Sequence, residues 1–129
     1  MKHFFAADLG ATSGRTILAS YDGEKIVMKE ITRFANPMIP MGGNLFWDIA
    51  GLYNEILGGL RKVAEQGIRI ESVGIDTWGC DFAFFGKDGQ LLGLPHCYRD
   101  GHTAAPTSGV SVMISSWLSA SESSSALRL

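Results

Sequence analysis

Phe4-Phe5-Ala6-Ala7-Asp8-Leu9-Gly10-Ala11-Thr12-Ser13-Gly14-Arg15-Thr16-Ile17-Leu18 is an apolar run that ends in a carboxylate, passes through a small hydroxylated turn and resumes as a second apolar run. This order predicts two strands, about His3 to Leu9 and Arg15 to Tyr21, joined by a tight bend. Gly10 and Gly14 allow backbone N–H groups to approach an anion. Thr12 and Ser13 add hydroxyl donors, and Asp8 at the strand end can hold a hydrated Mg²⁺. An ordinary Gly/Ser hairpin turn would use the same residue types. A P-loop is excluded, because no G-x-x-x-x-G-K-[ST] is present and the following residues read as strand rather than helix.

Working outward, Asp22-Gly23 marks a two-residue hairpin into a third strand from Lys25 to Phe34. Its alternation places Ile26, Met28, Glu30 and Thr32 on one face and Val27, Lys29, Ile31 and Arg33 on the other. The stretch from Asn36 to Asn44 holds Pro37, Pro40, Gly42 and Gly43 and reads as a loop. Asp48 suits a helix N-cap. After it, Ile49, Leu52, Tyr53, Ile56, Leu57, Leu60, Val63 and Ala64 form one apolar stripe at helical spacing, closed by Gly67. Gly51, Gly58 and Gly59 weaken that helix, and small residues there would let it approach a sheet closely. A strand from Ile68 to Thr77 with Val73, Gly74 and Ile75 as its buried centre comes next. Asp88-Gly89 marks a turn, and Leu91 to Leu94 reads as a short return strand.

A chain of 129 residues with 46% hydrophobic residues and a net charge of -2 can build one globular core. It carries no basic block for nucleic acid and no apolar run long enough for a membrane. Met1-Lys2-His3-Phe4-Phe5 imitates the start of a signal peptide, but Asp8 interrupts it too early, so a cytoplasmic location is expected. Cys80 and Cys97 form no CxxC pair and read as reduced thiols. His3, His96 and His102 stand singly and read as structural or solvent-facing. After Asp100 the composition changes. Serine dominates and charge nearly vanishes, which predicts that 104–129 is a low-complexity tail, disordered or foreign to the native reading frame.

A second constellation lies in Val73-Gly74-Ile75-Asp76-Thr77-Trp78-Gly79-Cys80-Asp81-Phe82. Strand ends facing a cleft are where α/β proteins bind ligands. Gly79 would let a polyol approach the backbone, Trp78 offers a flat wall with one N–H donor, and Asp76 or Asp81 could accept from sugar hydroxyls. A turn with two solvated carboxylates and a core Trp fits the same residues. Paired carboxylates also occur in glycoside hydrolysis, but the neighbouring phosphate motif argues against it.

Four blocks then occur in order: Asp8 to Arg15, Phe46-Trp47-Asp48, Gly74 to Phe82, and Gly93-Leu94-Pro95 through Tyr98-Arg99-Asp100. Together they resemble the N-terminal part of the FGGY carbohydrate kinase family, over roughly residues 3 to 103. The resemblance implies part of an actin-like ATPase (ribonuclease H-like) domain, with residues 1–103 as the partial kinase domain. It implies ATP and Mg²⁺ as cofactors and a small-molecule sugar as substrate. L-Rhamnulose, phosphorylated at its primary 1-hydroxyl, is the expected acceptor, with L-fuculose, xylulose or another polyol, or a non-catalytic sugar- or nucleotide-binding fragment, as alternatives. By matching position, Ala11, Thr12, Ser13, Gly14 and Arg15 would belong to the ATP phosphate site, beside Gly10, and Gly79 to the sugar site, with Asp8 a candidate for organising Mg²⁺ directly or through water. Arg15 could instead serve as an ion-pair partner. The family's catalytic base is expected beyond residue 129, so neither Asp76 nor Asp81 fills that role, and the 129-residue chain alone is expected to be inactive.

Overall fold

A computed structural model describes residues 1–101; the Ser-rich 104–129 and His102 lie outside the described residues. Strands β1 (Lys2–Leu9), β2 (Ser13–Tyr21), β3 (Ile26–Ala35), β4 (Met38–Met41) and β5 (Asn44–Trp47) precede helix α1 (Ile49–Ala64) and strand β6 (Ser72–Thr77). The main sheet has the order β3-β2-β1-β6. Its first three strands form an antiparallel meander, and β6 joins β1 in parallel. A parallel neighbour needs a crossover, and α1 lies in that connection. The expected class, a mixed α/β sheet with hairpins and one main helix, is the one observed.

Period-two alternation sets Phe5, Ala7 and Leu9 of β1 on one face, beside Leu18, Thr16 and Gly14 of β2. Leu52, Ile56 and Val63 of α1 and Phe34 of β3 complete this core. Each fully buried aliphatic or aromatic side chain of this kind contributes about 1.5–3 kcal/mol. Tyr53, placed in the stripe by its spacing, is exposed because it lies at the stripe's margin. Gly59 is buried at the helix–sheet seam. A Cβ there would stand 2.8 Å from both Cβ and Cγ2 of Thr16, so this glycine sets how closely α1 lies on β2. Thr16 is itself fully buried, and its hydroxyl meets that of Thr32 at 2.5 Å.

Asp48 caps α1 as expected: its Oδ1 accepts from the Gly51 N–H at 2.8 Å. Replacing Asp48 with Ala should lower stability by about 1 kcal/mol, whereas Asp48→Ser should change it little. Urea midpoints of the two variants check this. Past the helix, the Gln66 and Gly67 N–H groups donate to Val63 and Ala64 carbonyls, and Gly67 takes a left-handed φ of 69°.

Five local expectations change. Between β2 and β3, Thr16 pairs with Thr32 but Ile17 pairs with Glu30, so Ile31 is the extra residue of a bulge. The bulge carries Thr32 to the core face with Phe34, away from Ile26, Met28 and Glu30. The turn before β3 has four residues rather than two. Asp22 Oδ1 accepts from the N–H groups of Lys25 and Glu24, and these bonds, Lys25 first, hold the Asp22 carboxyl below its ordinary pKa. The expected loop after Asn36 is a β4–β5 hairpin, with Gly42 (φ 61°) and Gly43 (φ 84°) at its tip. Both left-handed angles suit a primed two-residue turn, and Pro40 is tolerated because the ribbon has only two strands. Finally, β6 starts at Ser72 rather than Ile68, and Val73 and Ile75 are exposed. The strand forms the sheet edge, and α1 packs over β2 and β3 instead. The return strand expected at Leu91–Leu94 reduces to one bridge between Phe85 and Leu91, around the Asp88-Gly89 turn.

Candidate functional site

The bend between β1 and β2 consists of Gly10, Ala11 and Thr12; Ser13, Gly14 and Arg15 already belong to β2. The Gly10 N–H donates to the Ser13 carbonyl at 2.9 Å, and a Cβ on Gly10 would come 2.8 Å from that same oxygen. Glycine is therefore required for the bend to close. Thr12 is exposed and Ser13 half-buried at its rim. Gly14 is buried under the Phe34 ring, so its missing side chain serves core packing in this structure.

Asn36 closes the bend from behind. Its Nδ2 donates to the Gly10 carbonyl and its backbone N–H to the Thr12 carbonyl, each at 3.0 Å. Sequence reasoning took Asn36-Pro37 only as a loop signal. The place of this Asn directly after a strand that pairs with β2, next to the bend, was the available hint.

Asp8 and Arg15 face each other across β1 and β2. Arg15 Nε donates to Asp8 Oδ2 at 2.9 Å, and Arg15 Nη2 lies 2.8 Å from the same oxygen. The ion-pair alternative for Arg15 is thus realised, while Asp8 Oδ1 makes no protein hydrogen bond among those described. The register extends this pair into a row on the sheet face opposite α1: Arg33 on β3, Arg15 on β2, Asp8 on β1 and Asp76 on β6. Arg33 also pairs with Glu30 at 2.6 Å, which raises its pKa. Among the described residues no group of three or more His, Cys, Asp or Glu is placed to hold a metal ion.

The second constellation divides. Asp76 lies in register with Asp8, beside the bend rather than with Asp81. Asp81 Oδ2 accepts two indole N–H groups, from Trp47 and from Trp78, each at 2.6 Å. The two indoles stack at 4.4 Å with a 46° tilt. The Trp78 donor is therefore spent on Asp81. Asp81 lines a cleft of about 240 Å³ with Phe82, Phe84, Leu94, His96 and Tyr98. Gly79 lies open, with nothing within 4 Å of where a Cβ would sit.

Trp47 was missed as a site residue, although Phe46-Trp47-Asp48 stood out as a block. It is almost fully buried and joins β5 to the wall of the cleft. The Pro95 carbonyl accepts from the Trp47 N–H and the Leu45 carbonyl from the Cys97 N–H, so 95–97 runs along β5. Buried Asp100 locks this arrangement, accepting from the Leu45 N–H at 2.7 Å and meeting His96 Nδ1 at 3.2 Å. His96 also stacks on Phe46 at 4.4 Å. Two of the supposedly lone histidines thus have partners, since His3 Nδ1 meets Ser20 Oγ at 2.9 Å. Cys97 is buried against Met38 and Cys80 is exposed.

The fold and these two sites define a class first. A gluconate kinase from Lactobacillus acidophilus superposes with a TM-score of 0.61 at 19% identity, covering 78% of this chain and 20% of that one. A xylulose kinase from Rhodospirillum rubrum gives 0.59 at 16% identity, covering 88% and 24%. The chain thus has the fold of a segment of these kinases. No protein-family model matches it. Among curated sequences, rhamnulokinase from Bacteroides thetaiotaomicron is 55% identical over 102 residues, 79% of this chain and 21% of that protein. Rhamnulokinase from Klebsiella pneumoniae strain 342 is 49% identical over 105 residues, 80% of this chain and 22% of its own length. The chain is homologous to the rhamnulokinases and spans about one-fifth of their length.

Proposed function

We propose that this chain supplies the phosphate-binding bend and part of the sugar cleft of a cytoplasmic kinase that transfers a phosphoryl group from ATP to the primary 1-hydroxyl of L-rhamnulose. In this reading residues 1–103 belong to the kinase domain. The observation that carries it is the 55% identity to a rhamnulokinase, over a stretch long enough to include most of both sites. The geometry agrees: a closed glycine bend sits at a strand end beside Arg15 and Asp8, and an aromatic cleft lies at the end of β6. Phosphoryl transfer needs positioning and charge stabilisation more than covalent chemistry. Backbone N–H groups and the Thr12 and Ser13 hydroxyls would hold phosphate oxygens. Arg15 would release Asp8 and turn to the triphosphate. Asp8 Oδ1 is free to hold Mg²⁺ directly or through water, with phosphate oxygens completing the shell, as that ion prefers few protein ligands. Mg²⁺ bound there would offset the charge of the triphosphate.

At the cleft, Trp78 would offer an apolar wall to the sugar carbons, with buried Trp47 behind it holding Asp81, and Gly79 would admit the polyol to the backbone. No described helix is long and apolar enough to cross a membrane. The test replaces the matching segment of the Bacteroides thetaiotaomicron enzyme with residues 1–101. ADP formation that depends on L-rhamnulose should stay within about tenfold of the parent. A folded chimera that ignores L-rhamnulose, or prefers gluconate or xylulose, overturns the assignment.

A further inference from the structure

We propose that Asn36 is a positioning residue that aims the N–H groups of the β1–β2 bend at a polyphosphate; this rests on the phosphate-binding reading above. Asn36 is 4% exposed and holds two of the bend's carbonyls, Gly10 through its side chain and Thr12 through its backbone. A trans peptide is planar, with C=O and N–H pointing opposite ways. No cis peptide occurs among the described residues. With the Gly10 carbonyl turned to Asn36, the Ala11 N–H must point away from it. With the Thr12 carbonyl held likewise, the Ser13 N–H does the same. Two N–H groups leaving a bend on the side opposite its anchor make a concavity suited to phosphate oxygens.

The other end of the same amide bears on this too. Asn36 Oδ1 is buried and has no hydrogen-bond partner. A side chain kept for packing alone would not strand an acceptor, since leucine fills nearly the same volume without one. The stranded oxygen follows from committing the amide's donor end to Gly10.

The experiment uses the 129-residue chain, ¹⁵N-labelled, with sodium tripolyphosphate as probe. In the wild type the Gly10, Ala11 and Ser13 amide signals should shift on titration. In Asn36→Leu, which keeps the volume and removes the donor, the same shifts should need at least about tenfold more probe. Amide exchange in the bend should also quicken while that of α1 stays unchanged. An Asn36→Leu chain with wild-type titration and exchange overturns the proposal, because a packing role alone would leave both unmoved. A wild type that ignores the probe overturns the phosphate reading itself, while the exchange comparison still decides whether Asn36 orders the bend. Should Asn36→Leu fail to fold, the wild-type side-chain NH₂ decides. Slow exchange supports the bond to Gly10, and solvent-like exchange overturns it.

Discussion

Trp47→Ala should lower the unfolding free energy of the chain by about 4 kcal/mol, a large share of what holds a small domain together. Trp47 is 1% exposed and is the largest fully buried side chain of the described residues. Removing it opens a void between β5, the Trp78 indole and the Tyr98 ring, whose centroid lies 6.3 Å away. It also takes one of two donors from Asp81 Oδ2. Trp47→Phe removes less. One six-membered ring stays while the N–H and the pyrrole part of the indole go, so the cost should fall to about 1–2 kcal/mol. Asp81 is only partly buried and keeps Trp78, which holds that figure near the low end. Urea unfolding followed by circular dichroism reads both variants. A Trp47→Phe chain as stable as wild type would show that the bond to Asp81 contributes nothing to folding.

The second large effect is expected at Gly59. A valine there would drive its side chain into Thr16, which is fully buried and tied to Thr32, and the cost should be about 3 kcal/mol. Gly59→Ala gains up to about 1 kcal/mol of helix propensity but meets the same obstacle, leaving a smaller net loss. Gly58→Ala is the internal control. Its Cβ would enter open space, so that variant should gain about 0.5–1 kcal/mol. Pairing Gly59→Ala with Thr16→Ala should cost less than the sum of the two changes, by at least about 0.5 kcal/mol, if the seam is what couples them. Additive losses in that cycle would place the defect elsewhere.

What could be read in advance was local. The alternation of β1 and β2, the Asp48 cap and the stripe of α1 are statements about neighbours within a few residues, and they appear in the structure almost at the expected bounds. The β4–β5 hairpin was hidden because prolines outweighed the Gly42-Gly43 pair, although that pair is the turn signal. The exposure of Val73 and Ile75 was invisible for another reason. Their apolar pattern is that of a buried strand, and only the strand order puts β6 at an edge. The sites divide in the same way. Asp8 and Arg15 lie seven positions apart on paired strands, so their contact was legible as an alternative. The joining of Trp47 to Asp81 spans 34 positions and depends on where 95–97 docks, which no local pattern carries.

The row from Arg33 through Arg15 and Asp8 to Asp76 also gives one side of the molecule an electrical slope. Two cationic heads occupy the half nearer one rim, Arg33 there paired with Glu30, and two anionic heads the half nearer the other. Their sum is close to zero, so the chain's small net charge hides the polarity completely. At close range the gradient sorts visitors by sign. On the phosphate-binding reading proposed above, an anionic tail would be drawn toward Arg15 on β2 and its accompanying cation toward Asp8 and Asp76 on β1 and β6, with the bend at the end of β1 on the boundary between them.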